Sequence, residues 1–245
     1  MPGTHFYFKA FSDPVYPSLS SQHTDDRAVA VVHITGALSR DDWWRGVPTQ
    51  YLVEVLSALE DSEYVTSIIL DWNSPGGEAS AVPPLLDFLV HRRRKPILSS
   101  VALAASAAYW LSSATDAIYL QDDITAQVGS IGVMTTIEDW TKFYEQNGIV
   151  RRDIYAPQST DKNLPWRRAL QGDDTLIEQE LSYVADRFIA IVRQQRPGID
   201  PSATTGACYF APEALRLGLS DGVVSLYELI DRQREASLLS ATPIP

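Results

Sequence analysis

One cysteine (Cys208), two methionines and four lysines stand in a chain of 245 residues. A lone cysteine excludes an intramolecular disulfide framework and any cysteine-based zinc cluster. Basic residues are outnumbered, 20 Lys and Arg against 31 Asp and Glu, which leaves a formal net charge of −11. That balance argues against nucleic acid as a main partner and against a polybasic membrane-surface protein, since both need a basic face. No apolar run approaches the 18 residues that a membrane span requires. The most apolar stretch, Pro96 to Leu111, is short and interrupted by serines. The N-terminus has no apolar core behind a basic start, so no secretory leader is read there. Neither G-x-G-x-x-G nor G-x-x-x-x-G-K occurs, and nucleotide binding loses its usual signatures. What remains is an ordinary globular composition, 45% hydrophobic and 21% charged, long enough for one domain or two small ones.

The pattern along the chain predicts an irregular N-terminal arm over residues 1–25, rich in Pro, Ser, His and aromatics, followed by a single domain over 26–245. Short β-branched runs predict buried strands at Ala28–Gly36, Ser67–Asn73, Pro96–Ala102 and Ala117–Gln121, and a further strand at Val150–Ala156. Apolar residues at helical spacing predict helices over Gln50–Leu59, Pro83–Arg94, Asp139–Asn147 and Leu176–Arg196, with a small-residue helix around Ala104–Ala114. HRRRK, ending at Lys95, reads as a solvated helix end whose charge complements the dipole. Gln127–Thr136 is punctuated by glycine, and the C-terminal stretch reads as short helix, turn, strand and closing helix. Strand–helix alternation repeated five or six times specifies an α/β fold with a mostly parallel sheet flanked by helices.

Two turns that follow predicted strands are placed for chemistry. In Asn73-Ser74-Pro75-Gly76-Gly77 the glycines permit positive φ and close approach of another backbone. The string reads either as a tight strand-to-helix turn or as exposed N–H groups suited to a developing oxyanion. In Ala104-Ala105-Ser106-Ala107-Ala108, a serine hemmed by alanines reads either as small-residue helix packing or as a hydroxyl presented at a helix start. A serine nucleophile needs a base. His5 and His23 lie in the arm, His33 within the first strand and His91 beside the basic helix end, so no histidine-based triad is indicated. Lysine can act instead once its pKa falls from ~10.4 toward ~7, which costs about 4–5 kcal/mol of charge stabilisation and demands a desolvated or cation-rich setting. After Ser106 the chain has only Lys142 and Lys162.

Three strings, SIILDWNSPGGEAS, ALAASAAYWLSSATDAIYLQDDITAQVGSIGVM and YFAPEALRLGLSDGV, in that order and spacing, resemble the signal peptide peptidase A family of serine peptidases. The similarity extends from about Ala28 to Leu229 and is nearest to the soluble phage and prophage head-maturation branch. The resemblance implies a ClpP/crotonase-like fold and a Ser–Lys dyad endopeptidase that uses no metal or organic cofactor. It places the nucleophile at Ser106 and the oxyanion hole on the N–H groups of Gly77 and Ala107. Gly76, Gly129 and Ser130 would line the site. The base falls on Lys162, 56 residues after Ser106 and slightly late for the family, with Thr160 at the ungapped position. Many relatives read Ser-Gly-Gly where this chain has Ser106-Ala107-Ala108. The implied partners are a polypeptide substrate and further copies of the chain in a ring, with helix Leu176–Arg196 as one candidate contact. The implied setting is a bacterial host cytoplasm or a phage prohead. Rival readings are a signal-peptide or general peptide-degrading homologue, a crotonase-type acyl-CoA enzyme, and an assembly protein that keeps the fold without its base.

Overall fold

A computed structural model describes Phe6–Phe8 and residues 27–239. In chain order the regular elements are β1 (Phe6–Phe8), β2 (Ala28–Thr35), β3 (Leu38–Ser39), β4 (Val47–Pro48), α1 (Thr49–Asp61), β5 (Val65–Ser74), α2 (Val82–Asp87), β6 (Ile97–Ala105), α3 (Ala107–Ser112), β7 (Ile118–Leu120) and β8 (Gln127–Gly129). They continue with α4 (Thr141–Gln146), α5 (Leu164–Ala169), α6 (Thr175–Gln195), β9 (Cys208–Phe210), α7 (Ala211–Arg216), β10 (Gly222–Val223) and α8 (Leu226–Leu239). The chain divides into two compact units, Met1–Gly132 with Phe188–Pro245, and Val133–Arg187.

The first unit is built on one sheet in the order β1-β2-β5-β6-β7-β10, every neighbouring pair of which is parallel. β6 changes partner along its length: Ser99–Val101 pair with β7, and Leu103–Ala105 pair with β8. β9 then adds to β8 as an antiparallel strand. Parallel strands covered on both faces are expected to be apolar on both, and β2 and β5 are. Ala30, Val32, Ile34, Ile68, Leu70 and Trp72 are buried on the face that carries α1, α2 and α3. On the other face Val29, Val31, Ile69 and Leu98 form one cluster with Val224 and with Leu229 and Ile230 of α8. Each such side chain contributes about 1.5–3 kcal/mol on burial. Some of the polar groups inside are paired: the Trp72 indole N–H donates to Ser99 Oγ (3.0 Å), and Thr115 Oγ1 lies 3.1 Å from the same hydroxyl, whereas Ser67 Oγ, Ser220 Oγ and the Trp110 indole N–H are buried without a partner among the described residues.

The α/β architecture with a mostly parallel sheet agrees with the sequence reading, and four local expectations are corrected. Val150–Ala156 forms no strand, and Val150 and Ile154 are 86% and 81% exposed. The alanine-rich helix begins only at Ala107, because Ala104 and Ala105 pair with Val128 and Gly129, and sheet pairing overrides the propensity of alanine. The basic run is not simply solvated. Arg93 pairs with Asp116, and the Lys95 ammonium donates to the carbonyls of Leu59 and Ser62, closing the C-terminal end of α1. Phe6–Phe8, inside the expected irregular arm, form a strand; the rest of residues 1–25 lie outside the described residues.

The second unit comprises Val133–Arg187. It holds α4, α5 and the start of α6, separated by turns. Ala169 is its one buried apolar side chain, while Met134, Trp140, Phe143, Ile149, Val150 and Ile154 are exposed.

Candidate active site

β6 runs directly into Ser106, and α3 starts at the next residue. The turn is sharp enough to put Ser106 at φ 53° and ψ −124°, a region costly for a residue with a side chain. Both ends of the residue are pinned. Its N–H donates to the Gly129 carbonyl (2.9 Å), and its carbonyl accepts from the Trp110 N–H (2.9 Å). The side chain is half-buried, between Ala104, Ala105, Ala107 and Ala108, all of them buried. The Gly76 backbone closes in from the β5 side and the Gly129 backbone from the β8 side.

On the β5 side, Gly76 lies flat against the nucleophile turn. A methyl group there would come within 2.7 Å of the Ala105 carbonyl oxygen, 2.8 Å of Ser106 Cβ and 3.0 Å of the Ala107 nitrogen. Its φ of +100° also calls for glycine. At Gly77 a methyl group would overlap the Leu38 backbone, with which Gly77 forms a parallel bridge. In that bridge Leu38 donates to the Gly76 carbonyl (2.7 Å) and accepts from the Glu78 N–H (3.0 Å). The alternation of a parallel pairing therefore turns the Gly77 N–H away from Leu38. The Ala107 N–H opens α3 and has no carbonyl partner within the helix. Two backbone donors, on Gly77 and Ala107, are thus carried by turns packed against one another at Ser106.

On the β8 side, Gly129 has a φ of +127°, and a methyl group there would meet the Ala207 carbonyl oxygen at 2.5 Å. Ser130 follows at φ 52° and donates its N–H to that same carbonyl (2.7 Å). Cys208 lies opposite Gly129 in the β8–β9 pairing, and partial burial pushes its thiol above the usual range, the Ser130 N–H acting the other way.

Six of the residues singled out from sequence, Gly76, Gly77, Ser106, Ala107, Gly129 and Ser130, therefore meet at the C-terminal ends of β5, β6 and β8. Ligand sites in parallel α/β sheets form at such strand ends. Among the described residues no group of His, Cys, Asp and Glu is arranged to hold a metal ion. His33 sits on β2 with Nδ1 2.5 Å from Asp71 Oδ2, and Asp71 also accepts from Gln121.

The family model for peptidase family S49 matches residues 90–240, more than half of the chain. The chain belongs to peptidase family S49. Among curated relatives, Protease 4 of Haemophilus influenzae is 26% identical over 219 residues, covering 84% of this chain and 34% of that protein. The head-tail preconnector protein GP5 of Enterobacteria phage P21 is 28% identical over 179 residues, covering 71% of this chain and 35% of that protein. The chain thus spans about a third of the length of either relative. Among solved structures, the 1510-N membrane-bound stomatin-specific protease, solved as a mutant, superposes with a TM-score of 0.54 at 16% identity over 84% of each chain, which places the two in one fold.

Within this S49 chain Lys162 belongs to the second unit, in the turn that precedes α5. It is exposed, and its own N–H donates to the Ser159 carbonyl (3.2 Å). Lys142, the other downstream lysine, is exposed on α4.

Two participants escaped the sequence reading. Ser74 is buried and its Oγ accepts the Gly76 N–H (3.2 Å), which fixes the turn immediately before Gly77. Serine two residues before glycine in a Ser-Pro-Gly turn was the available signal. Leu38 holds Gly77 from a two-residue strand 39 positions upstream, and nothing local marks it.

Proposed function

We propose that this chain is a serine endopeptidase in which Ser106 is the nucleophile and Lys162 the general base. The observation that carries the reading is the Ser106 backbone, held in a strained turn between a strand and a helix with the donors of Gly77 and Ala107 beside it. Lys162 accepts the Ser106 hydroxyl proton as Oγ attacks a peptide carbonyl. The carbonyl oxygen, now negative, is met by the Gly77 and Ala107 N–H groups, each worth about 3 kcal/mol in the transition state. The protonated lysine then delivers its proton to the leaving amine, and the acyl-enzyme is hydrolysed by a water that Lys162 activates. Gly76, Gly129 and Ser130 shape the floor and fix the nucleophile. Membership of family S49 supports the peptidase reading.

The substrate class favoured is capsid or scaffold protein cut during phage head assembly, in a host cytoplasm or prohead. Likeness to GP5 of phage P21 supports this. Assembly into a homo-oligomer accords with the six exposed apolar residues between Met134 and Ile154.

The test is fluorophosphonate labelling and cleavage of unfolded casein by the purified protein, with Ser106→Ala and Lys162→Ala alongside. Both activities are expected in the wild type and neither in Ser106→Ala. Casein cleavage at the wild-type rate by Lys162→Ala rejects the base, and an unlabelled wild type rejects the peptidase.

A further inference from the structure

Lys162 has no side-chain hydrogen bond or ion pair among the described residues, so the turn that carries it must fix its position. That turn is a run of short backbone bonds. Ser159 N–H donates to Ala156 O (2.8 Å), Lys162 N–H to Ser159 O (3.2 Å), and Leu164 N–H to Asp161 O (3.1 Å). Asn163 stands in the left-handed region at φ 55°. Bonds of this kind between exposed residues open readily, and one side chain spans them from outside. Arg167, on α5, donates from one guanidinium nitrogen to the Thr160 carbonyl (2.6 Å). The same guanidinium lies over the Tyr155 ring, 4.8 Å from its centroid, while the Arg167 backbone N–H donates to Asn163 O (3.0 Å). It thereby grips the turn at Tyr155, Thr160 and Asn163, on both sides of Lys162. Among the described residues it is also the one side chain that hydrogen-bonds to the backbone of 156–163. Its Nε–H is buried and has no partner among the described residues, so the group is held in place at some cost in desolvation.

We infer that Arg167 is a positioning residue for the general base, clamping the 155–163 turn so that Lys162 is presented in one orientation. The inference rests on the assignment of Lys162 as the base. A planar guanidinium is suited to the task because it stacks and donates at once, which an ammonium cannot do. Misorientation of a base raises the barrier to proton transfer and leaves substrate binding alone.

Arg167→Ala is therefore expected to lower kcat on a peptide substrate about ten- to a hundredfold, the range of a charge-assisted hydrogen bond, with KM unchanged. Millimolar guanidinium should restore much of the loss, which a general loosening of the fold would not permit. Tyr155→Leu, which removes the stacking face alone, should lower kcat in the same sense with a smaller effect. In a Lys162→Ala background, Arg167→Ala should leave the residual rate of fluorophosphonate labelling of Ser106 unchanged. Wild-type kcat in Arg167→Ala overturns the inference, as does a change confined to KM, a loss that guanidinium cannot rescue, or a further drop in the double variant. If Lys162→Ala itself retains wild-type cleavage, it is the base assignment that fails, whatever Arg167→Ala does.

Discussion

Ser106 and Gly129 are joined by a 2.9 Å hydrogen bond from the serine N–H to the glycine carbonyl, across the last pairing of β6 with β8. The bond does for the nucleophile what a side chain cannot, since it anchors the backbone at the residue where the chain changes from strand to helix. The residue that supplies the carbonyl is itself confined, with a φ of +127° and the Ala207 carbonyl where a Cβ would go.

Gly129→Ala should therefore cost activity through Ser106. The added methyl must displace either Ala207 or β8, and the carbonyl moves with it. A fall in the fluorophosphonate labelling rate of at least tenfold is expected, with a destabilisation of about 1–3 kcal/mol for the strained backbone. Labelling kinetics and a thermal melt measure the two effects, and an unchanged labelling rate would show that this carbonyl does not set the serine.

Ser106→Gly should do the reverse for stability. Glycine adopts φ 53° without a Cβ penalty, and relief of about 1 kcal/mol raises the Tm of a chain this size by roughly 2–4 °C. Ser106→Ala abolishes the chemistry equally but keeps the Cβ, so its Tm should stay near that of the wild type. Equal melting temperatures for the two variants would count against strain at this position.

Ser74→Ala tests the turn on the other side. Its hydroxyl is the acceptor for Gly76 N–H, and without it that buried donor is unpaired at a cost of about 1–3 kcal/mol. Because Gly77 follows directly, the expected result is a lower kcat on a peptide substrate with little change in KM. A variant with wild-type kcat would mean that Leu38 alone fixes the turn.

Much of this was legible in the sequence because it depended on local backbone demands. Glycine pairs after a strand, and a serine among alanines, state which positions tolerate no side chain, and these became the strand-end turns around Ser106. The β-branched runs of β2 and β5 likewise announce strands buried on both faces. Long-range pairing was not legible. Leu38 acts through a bridge to Gly77, and the register that extends β6 to Ala105 depends on β8, more than twenty residues later. Val150–Ala156 shows the converse: a few β-branched and aromatic residues among charges do not by themselves specify a strand, and Val150 and Ile154 are exposed.

Arg196 and Asp221 form a partly buried ion pair that ties the stability of the fold to pH. The guanidinium donates to both carboxylate oxygens (3.0 and 2.8 Å) and to the Gly218 carbonyl, while Ile118 N–H donates to Asp221 Oδ2 (2.7 Å). The neighbouring Tyr109, on α3, donates to Leu219 O and is pushed well above the usual phenol range, chiefly by burial. Burial works against the Asp221 charge, but the Arg196 and Ile118 hydrogen bonds outweigh it, and its carboxyl lies below the usual value of 3.8. A carboxylate whose pKa is lower folded than unfolded binds fewer protons in the native state. Its stabilisation is thus complete above the unfolded pKa and is lost as pH falls through the folded one. Wild-type stability should accordingly fall below about pH 4. Asp221→Asn should be less stable than the wild type at pH 7, with the gap narrowing toward pH 3. Urea melts of both proteins at pH 7, 5 and 3 measure this, and a gap independent of pH would show that the pair stabilises by packing and not by charge.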